Sequence, residues 1–256
     1  LSCKLVSVFP KNGERGLPTH QAAVMLFDAD SGEPLALLDG ASITAWRTAA
    51  GSALATRLLA REEASVLLII GTSVQALSHA RAIPRVRKLK EIRVAGRDVK
   101  RSAAFADELL KQLGIPTRGL PLGREVFTGA HIVCACTHAD QPVVQGAWLE
   151  AGTHVNSVGL NPKGRELDTD AVKRARVFVE SRAAALAPPP SGTNDLAGAE
   201  VAAEIGEVLS GSYPGRKSPE EITLYKSVGV AVQDAVAARL VYDAALKRCV
   251  GTEINF

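Results

Sequence analysis

The chain has 256 residues, 46% of them hydrophobic and only 4% aromatic, and its formal net charge is +3. That length holds one large α/β domain or two small ones, and an aliphatic, Ala- and Val-rich interior suits helices on a parallel sheet better than a β-sandwich. Basic and acidic residues are interspersed with no basic stripe and no apolar run of membrane-spanning length, which argues against nucleic acid or a membrane as partner.

In chain order, strands are expected at Lys4 to Phe9 and Ala22 to Asp28. The turn Asp28-Ala29-Asp30-Ser31-Gly32 then makes a hairpin with Pro34 to Asp39. An Ala-rich helix follows over Ser42 to Arg61, with Ile43, Ala50, Leu54 and Leu58 at helical spacing. From Ala64 onward strands and helices alternate. Strands are expected at Val66 to Ile70, Glu91 to Ala95, His131 to Ala135, His154 to Val158 and Arg176 to Glu180. Helices are expected from Gly71 through Ile83 and over Lys100 to Leu113, Ala199 to Leu209 and Gly229 to Arg248. Such alternation implies a parallel sheet with right-handed crossovers. Cys134 and Cys136 fall on one strand face without metal-ligand spacing and read as buried free thiols of a reducing cytoplasm.

The segment Leu67-Leu68-Ile69-Ile70-Gly71-Thr72-Ser73-Val74-Gln75-Ala76 reads as buried strand, tight turn and helix start, where a dinucleotide pyrophosphate would meet helix amides. Gly71 and Ala76 fit the first and third small positions of that fingerprint. Ser73 replaces the second, and either crowds the phosphates or donates to them. The next strand ends Val94-Ala95-Gly96-Arg97-Asp98. Gly96 leaves room there, and Arg97 can pair bidentately with a ribose 2′-phosphate, which favours NADP(H) over NAD(H).

Arg47 falls on the apolar row of its helix, so its guanidinium needs an anion, either a protein carboxylate or that of a substrate. Lys4 is a second candidate anion contact, or a surface lysine; His20 is loop filler or site residue. Trp148 reads as core packing. Ser227 either caps the last helix or touches a cofactor. The loop Gly159-Leu160-Asn161-Pro162-Lys163-Gly164 follows a strand at its carboxyl end, where open α/β sheets bind ligands.

Taken together and in order, Lys4-Leu5-Val6, Pro18-Thr19-His20-Gln21, Leu38-Asp39-Gly40, Arg47-Thr48-Ala49-Ala50, Gly71 to Ala76, Val155 to Gly159, Arg165-Glu166-Leu167, Ala203 to Glu207 and Lys226 to Gly229 resemble the ornithine cyclodeaminase/mu-crystallin family. The resemblance implies an α/β fold with a Rossmann-type parallel-sheet domain inserted in a discontinuous substrate and dimerisation domain. The expected boundaries are 1–61, 62–210 and 211–256. It implies a homodimer, with Lys4 and Arg47 holding a substrate carboxylate. Cofactor contacts are implied from Thr48, Gly71, Thr72, Ser73, Val74, Gln75, Gly96, Arg97, Thr137, Val158 and Ser227.

Cyclodeaminases of this kind carry Asp in the loop that here holds Asn161, and an amide cannot accept a proton as a carboxylate does. The expectation is therefore an NADPH-dependent reductase of cyclic imino acids, Δ1-pyrroline-2-carboxylate or Δ1-piperideine-2-carboxylate, with Lys4, Arg47 and Asn161 as candidate catalytic residues. The alternatives are an ornithine cyclodeaminase, an alanine dehydrogenase, or a non-catalytic NADPH-binding protein. Because relatives carry a further segment before the Lys4 strand, the chain is also expected to begin inside its first domain.

Overall fold

The computed structural model describes residues 1–254. Two compact units emerge, one from the chain's ends (1–47 and 230 onward), the other from Thr48–Gly229. In chain order come β1 (Ser2–Val8), β2 (His20–Phe27), β3 (Pro34–Asp39), α1 (Gly40–Leu59), β4 (Val66–Ile70), α2 (Val74–Ala82), β5 (Glu91–Gly96), α3 (Val99–Leu113), β6 (Thr117–Pro121), α4 (Arg124–Phe127) and β7 (Ile132–Ala135). They are followed by β8 (His154–Ser157), α5 (Thr169–Arg174), β9 (Ala175–Val179), α6 (Arg182–Ala185), β10 (Val201–Glu204), α7 (Ile205–Leu209), β11 (Ile222–Lys226) and α8 (Ala231–Arg248). No helix among the described residues is long and apolar enough to cross a membrane.

The first unit is an antiparallel sheet ordered β1-β2-β3, with α8 packed against β1 and β2. Its hairpin turn forms because Asp28 Oδ1 accepts from the amides of Asp30 and Ser31, both at 2.9 Å, while Gly32 takes a φ of +76° that side chains avoid. Alternation along β2 buries Val24 and Leu26 against Ile43 and Ala238.

The second unit is an eight-stranded sheet ordered β10-β9-β11-β8-β7-β4-β5-β6, every pairing parallel. Strand order reverses between β4 and β7, the place where open sheets of this kind bind ligands beyond the carboxyl ends of their strands. Leu68, Ile70, Val133 and Val155 fill one face, and Leu67, Ile69, Ile92 and Cys134 the other.

Several expectations need correction. The unit divisions fall at 47/48 and 229/230, not at 61/62 and 210/211. The second half of α1 belongs with the parallel sheet, since Ala53 packs with Leu67 and Ile69 while Leu59 packs with Phe178 and Tyr225. The buried stripe of α1 contains Ala45, Ala49, Ser52, Ala53, Thr56 and Leu59, whereas Ala50 is exposed. Small and hydroxylated residues make the close approach there, and a reading weighted towards large apolar side chains passes over them. Strand β11 was not foreseen, yet it lies inside the sheet between β8 and β9. The helix expected over Ala199 to Leu209 is strand β10 followed by α7, because the backbone of Val201 to Glu204 pairs with β9. Arg87 donates to the carbonyls of Thr56, Ala60 and Arg61, at and just beyond the end of α1.

Candidate functional site

The dinucleotide-type turn lies at the reversal of strand order. Gly71 leaves β4 with a φ of +110°, and a Cβ there would stand 2.7 Å from the carbonyl oxygen of Cys136. Only glycine fits that backbone. Ser73 is the N-cap of α2; its hydroxyl donates to the Cys136 carbonyl at 3.1 Å and accepts from the Ala76 amide at 3.4 Å. The hydroxyl therefore turns back onto the protein rather than forward, a third outcome beside the two expected from sequence. Thr72, Val74 and Gln75 complete the turn and open α2, whose first amides have no acceptor within the helix. Gln75 Oε1 is buried without a hydrogen-bond donor among the described residues. A glycine cradle and free helix amides together fit a dinucleotide diphosphate, whereas the unsatisfied Gln75 Oε1 calls for a donor such as a hydroxyl.

At the end of β5, Gly96 leaves only 3.2 Å between a would-be Cβ and Ser102 Oγ. Arg97 is exposed and makes neither a hydrogen bond nor an ion pair among the described residues. Asp98 is occupied: its Oδ1 caps α3 by accepting from the amides of Lys100 at 2.9 Å and Arg101 at 3.1 Å. Among the described residues the arginine is unpaired at this strand end, and the acid is spent on the helix.

Thr137, Val158 and Ser227 stand immediately beyond β7, β8 and β11. The carboxyl edge of the adjacent strands β5, β4, β7, β8 and β11 thus gathers Gly96, Arg97, Gly71 to Gln75, Thr137, Val158 and Ser227. Ser227 does not cap the last helix, whose N-cap is Val230; its hydroxyl donates to Glu180, which also accepts from the amides of Val228 and Gly229. Thr48 is buried in α1. Trp148 packs on Phe127 in the core, with ring centroids 5.3 Å apart.

The first unit carries a separate constellation. Lys4 Nζ and Arg47 Nε both donate to Asp234 Oδ1, at 2.9 and 3.2 Å, and Arg47 Nη1 donates to Gln233 Oε1 at 3.1 Å. Arg47 has found the protein carboxylate that sequence reasoning allowed for, yet one carboxylate faces two cations and Nη2 makes no hydrogen bond among the described residues. The excess positive charge is felt by His20, whose pKa is lowered by burial first and then by Lys4 and Arg47. Such a field attracts a small carboxylate.

Asn161 ties its loop to the one that follows β7. Its Nδ2 donates to the Ala139 carbonyl at 3.1 Å and to Asp140 Oδ1 at 2.9 Å, while its Oδ1 accepts from the Lys163 amide at 3.0 Å.

Asp234 and Glu180 escaped sequence reasoning. Asp234 is a lone acid in the apolar run that opens α8, and Glu180 ends a buried strand; a polar residue stranded in apolar surroundings was the available signal.

The model of the ornithine cyclodeaminase/mu-crystallin family matches residues 1–248. Ketimine reductase mu-crystallin of Mus musculus is 40% identical over 245 residues, spanning 95% of this chain and 76% of that protein. The structure of Thermococcus litoralis Δ1-pyrroline-2-carboxylate reductase in complex with NADH and L-proline superposes with a TM-score of 0.93 at 38% identity, covering 99% of this chain and 80% of the other. An archaeal alanine dehydrogenase dimer with bound NAD superposes with a TM-score of 0.87 at 31% identity, covering 100% and 80%.

Proposed function

Because the chain belongs to the ornithine cyclodeaminase/mu-crystallin family, we propose that it is an oxidoreductase that reduces cyclic imino acids such as Δ1-pyrroline-2-carboxylate and Δ1-piperideine-2-carboxylate, with NADPH preferred to NADH. The observation that carries the substrate class is the pair of cations, Lys4 and Arg47, sharing the single carboxylate of Asp234. Lys4 and Arg47 hold the substrate carboxylate, and Asp234 keeps both side chains in place between turnovers. The nicotinamide supplies the hydride. A protonated cyclic imine is already an electrophile, so the protein needs to orient it and neutralise its carboxylate rather than activate it.

Asn161 shapes its loop through three hydrogen bonds and offers no carboxylate for proton abstraction, which separates this reading from ornithine cyclodeamination. Thr48, Gly71 to Gln75, Gly96, Arg97, Thr137, Val158 and Ser227 form the cofactor site. The NADP preference rests on a free Arg97 beside an Asp98 already committed to capping α3.

The same reading takes the protein as a cytoplasmic homodimer. Val232, Val236 and Leu240 form an exposed apolar stripe at four-residue spacing on α8, as an interface helix requires, and the archaeal alanine dehydrogenase of like fold is a dimer. The thiols of Cys134 and Cys136 are buried and free, and burial pushes Cys134 up to about 12, which makes it unreactive.

The decisive experiment mixes purified protein with NADPH and either cyclic imine and follows loss of nicotinamide absorbance. Oxidation of NADPH that depends on the imine is the expected result. Binding of NADPH without turnover of either imine would sink the reductase reading, and ammonia release from ornithine would replace it with cyclodeamination.

A further inference from the structure

Behind the carboxyl edge of the parallel sheet lies a buried cluster of one amine and two carboxyls. Lys226, at the end of β11, has no exposed side-chain surface. Its Nζ meets Asp195 Oδ2 at 2.7 Å, the Gly159 carbonyl at 2.6 Å and Ser157 Oγ at 3.1 Å, and stands 4.0 Å from Glu166 Oε2. Glu166 Oε1 accepts from both the amide and the hydroxyl of Thr137 at 2.7 Å; Oε2 accepts from Ser157 Oγ at 2.7 Å and the Gly159 amide at 2.8 Å. Asp195 Oδ1 in turn accepts from the amides of Glu166 and Leu167, at 2.7 and 2.9 Å.

The cluster therefore grips the backbone just beyond two adjacent strands, β7 and β8, from the end of a third, β11. The fit is close. A Cβ on Gly159 would lie 2.3 Å from the Thr137 carbonyl oxygen and 2.4 Å from Glu166 Cδ. A buried ion cluster adds little stability beyond what well-packed apolar side chains of similar volume would give. What it adds is fixed direction: two loops and a strand end are held by one carboxylate whose hydrogen-bond capacity is filled.

We propose that Glu166, braced by Lys226 and Asp195, is a positioning residue that presets Thr137 and Val158 for the nicotinamide half of the dinucleotide. This rests on the cofactor reading above. A dinucleotide fold of this kind has two mononucleotide halves flanking the reversal of strand order. Here Gly71, Gly96 and Arg97 lie on the β4 to β6 half, and the Glu166 cluster lies on the β7, β8 and β11 half. The two halves of the cofactor are accordingly held by separable devices.

The test compares binding of the whole dinucleotide with binding of its adenosine half. Dissociation constants are measured calorimetrically for NADPH and 2′,5′-ADP, and for NADH and ADP, using wild type, Glu166→Gln and Arg97→Ala. Glu166→Gln should weaken NADPH about tenfold or more, the effect of losing charge-assisted hydrogen bonds, and leave 2′,5′-ADP nearly unchanged. Arg97→Ala should weaken both. Should Glu166→Gln fail to fold, Ser157→Ala removes one partner of Glu166 and of Lys226 and should show the same asymmetry at smaller amplitude. Equal losses for whole and half ligands, or no loss for either, would overturn the inference while leaving the cofactor site intact. Wild type that binds none of the four ligands would instead overturn the cofactor reading beneath it.

Discussion

Arg97 is singled out by its place at a strand end and Arg47 by helical periodicity, and their surroundings give them opposite characters. Arg97 is exposed and, among the described residues, unpaired beside an acid already committed to α3. Arg97→Ala should therefore raise the dissociation constant for NADPH about tenfold and change that for NADH by less than about threefold, since only the former carries the 2′-phosphate. Fluorescence titration reads this directly; equal losses would remove the NADP preference. Arg47 is mostly buried and already holds Asp234 and Gln233. Its removal should raise KM for the imine by about tenfold to a hundredfold, the range expected for a lost charge-assisted contact, with NADPH affinity unchanged. Steady-state kinetics with the imine varied at saturating NADPH makes the comparison, and an unchanged KM would detach Arg47 from the substrate.

At the scale of elements, helix and strand approach one another where side chains are missing. Gly119 on β6 lies under α3, and a Cβ there would come within 2.4 Å of the Ala103 amide nitrogen. Gly119→Ala must push helix from strand and should cost about 1–3 kcal/mol. Gly114, which ends α3 at a φ of +68°, has open space around it, so Gly114→Ala should cost only about 1 kcal/mol through backbone strain. Urea denaturation of both variants checks the order. The reverse ranking would mean that the contact between α3 and β6 is looser than the backbone positions imply.

For the whole molecule, acid is the exposed flank of stability. His79 lies wholly buried on α2, and its Nδ1 approaches the Gln75 carbonyl at 2.7 Å, so that nitrogen carries the proton and Nε2 accepts from Ser52. Burial lowers its pKa to about 4, and burial likewise lowers His154 to about 3. Below the unfolded value of 6.5 the unfolded chain takes up protons that the folded chain refuses. Stability contributed by neutral His79 is thus complete above pH 6.5 and lost progressively down to about 4, on the order of 3 kcal/mol. Urea midpoints measured across that range should fall with pH, and fall less in His79→Gln; parallel slopes would contradict the burial argument. The apolar stripe on α8 belongs to the same scale. Light scattering should give the mass of a dimer for wild type and of a monomer for Leu240→Glu, which puts a charge in the middle of that stripe. A wild-type monomer would reject the dimer.

The sequence alone determined the alternation of strands and helices, the turn at Gly71 and the hairpin at Gly32, because each of these is written in neighbouring residues. Local spacing also placed Arg47 on a buried face. Only the tertiary structure decided what local spacing cannot encode. Strand β11 became legible through its partners β8 and β9, since a short apolar run serves helix and strand alike until another strand pairs with it. The division at 47/48 follows from the small side chains of α1 that touch the sheet. Lys226, Glu166 and Asp195 lie far apart in sequence, and Asp234 is distant from Lys4 and Arg47. A buried charge needs its counter-charge within a few ångströms in space, and no rule of sequence spacing says where in the chain that partner will be found.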